Sequence, residues 1–260
     1  MPATNAPILS ESDSIPTSTI TAAPVAVIAA PIKTLVEAIN NPSPTPSRPV
    51  TPPASTQELV LQQELESLEI VTKHAEDPEN WTRRTAYSLV TDDYRIRHLT
   101  AGTLRGDGKL SVRPALFQSK DEQQVLSVLH VGTDMCGHPN ITHGGLLATL
   151  LDEITAMTAI PNLPGKTGFT ANLNINYRHP CIADQFLVAH AEVTSTEGRK
   201  AFVKATLKTV SGTLLADATA LFVAPRVPVS QITEQLAQDK HASSAANASN
   251  GSSAAAAPQA

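Results

Sequence analysis

The sequence contains few cysteines, few aromatic residues and no long apolar run. The two cysteines among 260 residues, Cys136 and Cys181, are too few for a disulfide framework, so we expect a reducing compartment. No segment approaches the roughly 18–20 uninterrupted apolar residues of a membrane-spanning helix. The net charge of −5 gives no reason to expect a nucleic-acid partner. A protein that neither spans a membrane nor binds nucleic acid is therefore predicted.

Recognisable targeting signals are also lacking. The mildly apolar segment 20–32 is interrupted by Pro24 and Pro31, and no basic cluster precedes it. A mitochondrial presequence would be rich in arginine and poor in acids, but the first arginine is Arg48 and acidic residues come before it. The expected location is cytoplasmic, with mitochondria as the alternative.

The distribution of proline and aromatic residues divides the chain. Eleven of the 20 prolines precede Ser55, every aromatic residue lies between Trp81 and Phe222, and no charged residue follows Lys240. Aromatic residues dominate core packing, so the core is expected in the middle of the chain. We predict a disordered Pro-, Thr- and Ser-rich segment 1–55, an N-terminal helix and connecting region 56–110, a folded domain 111–226 and a flexible Ala/Ser-rich tail 227–260.

The segment that begins at His143 combines a glycine pair with an acid nine positions later. At about 100° per residue, one helix face carries an acid among small residues, while a second face is apolar. The first consists of Gly145, Ala148, Thr149, Asp152 and Ala156, and the second of Leu146, Leu150, Ile154 and Met157. A poorly solvated carboxylate near a helix start suits the activation of a nucleophile and the stabilisation of an oxyanion. The alternative is that Asp152 is a solvated residue beside Glu153.

The spacing between His143 and Asp152 predicts an assembly. Nine helical residues span roughly 13 Å, so one small reacting group cannot contact both ends of this segment. If both ends serve one carbonyl group, they must come from two antiparallel helices. A symmetric dimer provides that arrangement.

Alternating apolar residues predict an antiparallel sheet. In 171–177 the odd positions are apolar or aromatic and the even positions are all asparagine, and similar alternation recurs in 187–193, 201–207 and 213–223. Segments 112–118 and 124–131 are two further candidate strands. The expected fold class is α+β, with five to six antiparallel strands around one long central helix.

Patterns upstream predict one more helix and a turn. Ser55 and Glu58 form a candidate capping box, followed at helical spacing by Leu61, Leu65, Leu68 and Val71. This helix is expected to cover part of the sheet. Asp107-Gly108 suggests a hairpin. Trp81, Tyr87 and Tyr94 either line a tunnel for a ligand or only pack in the core.

Several other chemistries lack their sequence patterns. There is no Gly-x-Ser-x-Gly, no Gly-x-x-x-x-Gly-Lys and no Gly-x-Gly-x-x-Gly, so a serine nucleophile elbow and nucleotide-phosphate loops are not supported. Cys136, His138 and His143 do not have a common zinc-ligand spacing. We therefore expect no metal and no cofactor.

The string from His143 to Asp152, followed by Gly168-Phe169-Thr170 and the alternating strand to Pro180, resembles the hotdog-fold acyl-CoA thioesterases of the phenylacetate-degradation (PaaI) type. The similarity runs from about Val112 to Ala224. It implies a hotdog fold, an acyl-CoA or other acyl thioester substrate, and a homodimer or homotetramer.

The resemblance also implies roles for particular residues. The Gly144 N–H would polarise the thioester carbonyl, Asp152 would attack it or activate water, and Thr170 would orient the water or the acid. Many members of the family carry an asparagine six residues before the histidine, where this chain has Gly137; the nearby Asn140 is the candidate substitute. His143 is predicted either to support the loop or to act as an acid–base group, and Gly145 is expected to contribute at the helix start. The basic residues predicted to contact coenzyme A phosphates, or to be solvated turn residues, are Arg178, Arg199 and Lys200.

Three alternatives to a general acyl-CoA thioesterase remain at this stage. A hotdog hydratase or dehydratase would pair Asp134 with His138 or His143. An acyl-CoA-binding protein without catalysis would lack turnover, although the joint presence of Asp152 and Thr170 argues against it. A thioesterase dedicated to one biosynthetic pathway would carry the same motifs.

Overall fold

The computed structural model describes residues 55–236 and 238, and every structural statement below concerns that part of the chain. The disorder predicted for 1–55 therefore falls, except for Ser55, outside the described residues, as does most of the tail predicted for 227–260. Within that tail, residues 229–236 are helical.

Besides the helical residues 229–236, the described part of the chain contains four α-helices and nine strands, named here in chain order. The helices are α1 (Thr56–Ser67), α2 (Glu69–Ala75), α3 (Asp92–Arg95) and α4 (Gly144–Ala159). The strands are β1 (Trp81–Thr85), β2 (Ala115–Ser119), β3 (Gln124–Val131), β4 (Cys136–His138), β5 (Ile141–Thr142), β6 (Phe169–Tyr177), β7 (Gln185–Glu197), β8 (Lys200–Thr209) and β9 (Leu214–Val223). One five-residue π-helical turn, Leu99–Thr103, lies between α3 and β2.

Seven of these strands form one antiparallel sheet in the order β1-β2-β3-β7-β8-β9-β6. Helix α4 packs against β7, β8 and β9. The predicted α+β hotdog fold is confirmed. The sheet has one strand more than the predicted maximum because β1, from the expected connecting region, pairs with β2.

The interior face of α4 explains its position. Its buried residues include Leu146, Leu150, Leu151 and Ile154, each at most 6% exposed, and they join the main core with residues of the sheet. The face that carries Ala148, Asp152 and Ala156 is only partly buried. The helix therefore presents its apolar side to the sheet and its small-residue side away from the core, as the periodicity predicts.

A second core lies on the other side of the sheet. Leu65 and Val71 from the N-terminal helices are at most 1% exposed and pack with Phe117 and Phe186. The side chain of Ser55 accepts a hydrogen bond from the Glu58 N–H at 3.0 Å, which caps α1 as predicted. The expected single helix is interrupted at Leu68, whose ψ of 131° is extended.

Two local predictions differ from the structure. Strand β2 begins at Ala115 rather than Val112, since Pro114 has no N–H to donate to a ladder. Around Asp107-Gly108 the chain forms a turn closed by one isolated bridge between Arg105 and Leu110, and not the hairpin that the sequence predicts. The turn is also hydrogen-bonded to the chain after β3, where the carbonyls of Lys109 and Gly108 accept the N–H groups of Gly132 and Asp134 at 2.8 and 2.7 Å.

Strand β6 is an edge strand. Its ladder partner is β9, and a bulge between Thr170 and Asn172 interrupts the register. Leu173 and Ile175 are partly buried, whereas the asparagines between and beside them are exposed. Among the described helices, none has the length and hydrophobicity to cross a membrane.

Candidate active site

His143 is the N-cap of α4. Its φ of −62° and ψ of 130° are extended, and its ring Nδ1 accepts a hydrogen bond from the Gly145 N–H at 2.8 Å. The imidazole therefore satisfies one of the free N–H groups of the first helical turn. The ring thus contacts the first turn through Nδ1 as an acceptor and not through a ring N–H as a donor.

Gly144 is the first residue of α4, and the strand β6 lies beside it. The Tyr177 hydroxyl donates to the Gly144 carbonyl at 3.0 Å. A Cβ added at Gly144 would lie 3.5 Å from the Tyr177 ring, which is ordinary contact. Neither its backbone conformation nor its described neighbours thus require glycine at this position.

Asp152 lies two turns further along α4, next to the start of β6. The Thr170 hydroxyl donates to Asp152 Oδ1 at 2.9 Å. Burial raises the pKa of the Asp152 carboxyl above its ordinary value, and the hydrogen bond from Thr170 opposes that rise. The group is partly desolvated but still reachable, which is the environment of a reactive carboxylate.

Within one chain, the site residues form two separate groups. Gly144 contacts Tyr177 at the end of β6, whereas Asp152 contacts Thr170 near its beginning. Eight helical residues separate the glycine from the acid, or roughly 12 Å. The described chain therefore does not bring the helix start and the acid together.

The loop before α4 holds Gly137 and Asn140 for structural reasons. A Cβ at Gly137 would lie 2.9 Å from the His143 ring, so an asparagine there would displace that ring. Asn140 has a φ of +59°, a conformation that asparagine tolerates, and its carbonyl accepts the Ala183 N–H at 3.0 Å. Its exposed position forms the turn between β4 and β5.

The predicted phosphate contacts lie at opposite ends of the sheet. The Arg178 guanidinium forms an ion pair with Asp217, and the backbone N–H of Arg178 donates to the Leu215 carbonyl. Arg199 donates to the Ala224 carbonyl at 2.5 Å, and Lys200 begins β8 beside it. Leu215 and Ala224 are nine residues apart along β9, or about 30 Å. In one chain these cations cannot bind one phosphate group together.

The residues of the hydratase alternative are not assembled. The Asp134 carboxylate lies against Gly108, and among the described residues no hydrogen bond joins it to His138 or His143. The same part of the chain contains no group of three or more potential metal ligands, so Cys136, His138 and His143 do not form a metal site there.

Sequence reasoning missed a second acid with an unusual environment. The Thr100 hydroxyl, fully buried, donates to Glu153 Oε1 at 3.0 Å. Burial raises the pKa of Glu153, and burial followed by the charge of Glu153 raises the pKa of Tyr87. Glu153 and Tyr87 line a narrow, mostly apolar cavity between α4 and the sheet. No periodic pattern identifies Thr100, because its position depends on a π-helical turn.

Tyr177 was also not predicted as a site residue. It occupies the last apolar position of an alternating strand, and that pattern indicates a buried residue. It is instead 54% exposed, with its hydroxyl on the Gly144 carbonyl.

Comparisons with known proteins agree with this fold. The model of the thioesterase superfamily matches residues 139–216. An uncharacterised Schizosaccharomyces pombe protein is 33% identical over 120 residues, which is 45% of this chain and 69% of the relative. The mouse acyl-coenzyme A thioesterase THEM4 is 36% identical over 110 residues, 42% of this chain and 46% of that protein.

Among solved structures, the Escherichia coli PaaI protein is similar, with 15% identity and a TM-score of 0.38 over 43% of this chain and 79% of that one. This chain spans 66% and 65% of the length of two further yeast relatives. The matched segment contains the start of α4, Asp152, Thr170 and Tyr177. By sequence, residues 139–216 of the chain belong to the thioesterase superfamily.

Proposed function

We propose that this protein hydrolyses an acyl-CoA, or a related acyl thioester, to the free acid and the thiol. The observation that carries the proposal is the contact between Thr170 and Asp152, a partly buried carboxylate that only one hydroxyl group holds. The mouse relative is named an acyl-coenzyme A thioesterase, which supports this substrate class.

In the proposed reaction Asp152 acts on the thioester carbonyl carbon either directly, as a nucleophile, or by taking a proton from an attacking water. In the general-base route the water oxygen bonds to the carbonyl carbon, the C–S bond breaks, and the proton taken by Asp152 passes to the thiolate. In the nucleophilic route an Asp152 oxygen bonds to the carbonyl carbon as the C–S bond breaks; water then cleaves the acyl-aspartyl anhydride, which gives the free acid, restores the carboxylate and supplies the proton of the thiol. Negative charge that builds on the carbonyl oxygen would be stabilised by the Gly144 N–H and the positive end of α4. Thr170 would keep the carboxylate aimed at the reacting carbon.

The separation of roughly 12 Å between Gly144 and Asp152 leads to a two-chain site. A symmetric dimer that pairs two antiparallel copies of α4 would bring Gly144 of the partner subunit to Asp152. The free edge of β6 and the partly buried face of α4 that carries Ala148 are the surfaces for this contact. The same symmetry would carry the partner's Arg178 to the end of the sheet that holds Arg199 and Lys200.

The activity is tested by thiol release across a panel of acyl-CoA substrates, with saturated and enoyl chains compared so that water addition is detected separately. The Asp152→Asn variant should remain folded and lose at least about a hundredfold in kcat, the lower range for losing a general base. The matched control is Glu153→Gln, which changes the adjacent acid, about 100° around the helix, that contacts Thr100 and not Thr170. Near-normal turnover of Asp152→Asn would remove Asp152 from the mechanism.

The two-chain site is tested by mixing inactive variants. Asp152→Asn and Gly144→Val each damage one half of every site, but a mixed dimer contains one intact site. Random exchange should therefore restore about a quarter of the wild-type activity. If both halves of the site lie in one chain, the mixture stays inactive.

The compartment is a separate proposal. A Candida albicans relative, 26% identical over 52% of this chain, is named as a mitochondrial protein. This favours mitochondria, the alternative to the predicted cytoplasm. Microscopy of the full chain with a C-terminal fluorescent tag tests the location, and uniform cytoplasmic signal would contradict it.

A further inference from the structure

Tyr177 is an aromatic residue at the end of β6, beside the start of α4. Its side chain is 54% exposed, although it continues an alternating pattern in which Leu173 and Ile175 are partly buried. The ring lies next to Gly144, because a Cβ added to that glycine would be 3.5 Å from a ring carbon. Its hydroxyl donates to the Gly144 carbonyl at 3.0 Å. Burial in the core therefore does not explain the position of this ring.

The bond from Tyr177 is not needed to satisfy the Gly144 carbonyl. Gly144 is the first residue of α4, and in an α-helix the carbonyl of residue i accepts the N–H of residue i+4. The helical partner of this carbonyl is thus the Ala148 N–H, and the tyrosine uses the second lone pair. The bond is also exposed, so breaking it only exchanges the tyrosine for water on the carbonyl. The fold gains little from this hydroxyl.

The peptide group between Gly144 and Gly145 is held at both of its ends. Its carbonyl, on Gly144, accepts the Tyr177 hydroxyl, and its N–H, on Gly145, donates to His143 Nδ1 at 2.8 Å. A peptide group is planar, so contacts at both ends fix its plane. Glycine has no side chain to restrict its torsion angles, and α4 begins with two glycines. The two side chains thus supply the rigidity that the glycine pair lacks.

The Gly144 N–H remains free in this arrangement. It donates to no acceptor within residues 55–236 and 238, and as the first N–H of α4 it has no partner in the helix. The His143 carbonyl, at the other end of the same peptide group, accepts the Leu146 N–H at 2.9 Å. The peptide planes on both sides of the Gly144 Cα are therefore fixed, and the direction of the N–H is fixed with them. A donor held in advance stabilises a developing negative charge better than one that must reorient.

We propose that the Tyr177 hydroxyl is a positioning group for the thioester reaction: it holds the Gly144–Gly145 peptide so that the free Gly144 N–H points at the substrate carbonyl. This role rests on the proposed function, since it concerns the same N–H. The hydroxyl donates to a backbone carbonyl and does not touch the reacting atoms. Its loss should therefore weaken stabilisation of the transition state and leave substrate affinity unchanged.

The first test is steady-state thioester hydrolysis by Tyr177→Phe, which keeps the ring and removes the hydroxyl. We expect kcat to fall at least about fivefold, but by less than the roughly 100-fold or more that loss of an oxyanion donor costs. We expect KM to stay within about twofold of the wild-type value, and the melting temperature and sedimentation to be unchanged. The matched control is Thr219→Val, which removes one exposed hydroxyl from the neighbouring strand β9 and should keep full kcat.

The second test does not need turnover. Isotopically labelled glycine gives up to 12 amide signals in an NMR spectrum of the full chain, and the variants Gly144→Ala and Gly145→Ala assign their own two by loss of a signal. In Tyr177→Phe both signals should move, and the Gly145 amide should exchange with solvent at least about threefold faster, because its peptide has lost one of two holds. The signal of Gly198, in the turn between β7 and β8, should not change.

The two measurements separate this role from the proposed function. A wild type that hydrolyses no acyl-CoA would contradict the proposed function, and the NMR spectra would still show whether Tyr177 holds the peptide. Unchanged glycine signals and exchange in Tyr177→Phe would overturn the positioning role, with or without turnover. A wild-type kcat in that variant would overturn it as well, and so would a change in sedimentation, which would assign the hydroxyl to subunit contact.

Discussion

The environment of Asp152 determines how activity should respond to pH. The carboxylate form is the reactive one in either proposed role, and burial raises the pKa of this group. Activity should therefore fall with decreasing pH at a higher pH than for a solvated aspartate. The Thr170 hydrogen bond stabilises the charged form, so Thr170→Ala should move this acidic limb of kcat/KM to still higher pH. Thr170→Ser keeps the hydroxyl and should leave the limb in place; an unchanged limb in Thr170→Ala would show that the bond is not made in solution.

The same burial has a consequence for folding. When folding raises the pKa of a carboxyl group, ionisation of that group destabilises the folded protein. The protein therefore loses stability as the pH rises from the pKa of the group in the unfolded state through its pKa in the folded state. At neutral pH the charged Asp152 therefore opposes folding, and Asp152→Asn should raise the melting temperature. Below the unfolded pKa both proteins should melt alike. Calorimetry at neutral and at acidic pH measures both effects, and a lower melting temperature for the variant at neutral pH would contradict the argument.

Gly144 and Gly145, the first two residues of α4, should respond differently to substitution by alanine. An alanine at Gly144 meets only ordinary contacts, whereas a Cβ at Gly145 would lie 2.9 Å from His143 Nδ1. Gly145→Ala should therefore lower stability through the cap. Gly144→Ala should fold normally and lower kcat at least about tenfold, because only an approaching substrate or partner chain needs the space. Full activity of Gly144→Ala would remove the argument for close approach at this residue.

At the scale of the element, the start of α4 depends on the His143 ring. His143→Ala removes the acceptor for the Gly145 N–H and should cost about 0.5–2 kcal/mol of unfolding free energy, whereas His143→Asn keeps a capping oxygen and should cost less. Urea denaturation measures the difference. Loss of turnover in a stably folded His143→Asn would assign the imidazole a chemical role beyond the cap.

The elements differ in how far the sequence predicts them. Strand β3 has its predicted bounds, 124–131, and helix α4 begins directly after His143, where the glycine pair predicts a helix start. Strand β1 was not predicted, because Trp-Thr-Arg-Arg-Thr has no alternation of apolar residues; it is a strand since it pairs with β2 and places Arg83 over the Phe117 ring, 5.6 Å away. No glycine or proline near Leu68 predicts the interruption between α1 and α2. The interruption depends on how the two helices pack on the outer face of the sheet.

The site shows the same contrast. The acid and the helix start follow from residue type and spacing, whereas Thr170 and the expected roles of all three come from the resemblance. The contacts of Tyr177 and Thr100 depend on which elements become neighbours, which no local pattern specifies. The sequence therefore indicated the reactive groups but not the surfaces around them.

At the scale of the whole molecule, association should control activity. Ala148 is partly exposed on the face of α4 that carries Asp152, so Ala148→Arg should disrupt the proposed dimer without unfolding the monomer. Val210→Arg, at a position 45% exposed and remote from α4, is the matched control. Sedimentation should show a monomeric, inactive Ala148→Arg protein and an unchanged control. An active monomer would contradict the two-chain site.

The distance along α4 between Gly144 and Asp152 has a kinetic consequence in the cell. If every working centre needs two copies of the chain, the number of centres at low abundance grows as the square of the amount synthesised. Halving gene expression would then remove about three quarters of the catalytic capacity, so the activity in the cell would fall more steeply than the amount of protein.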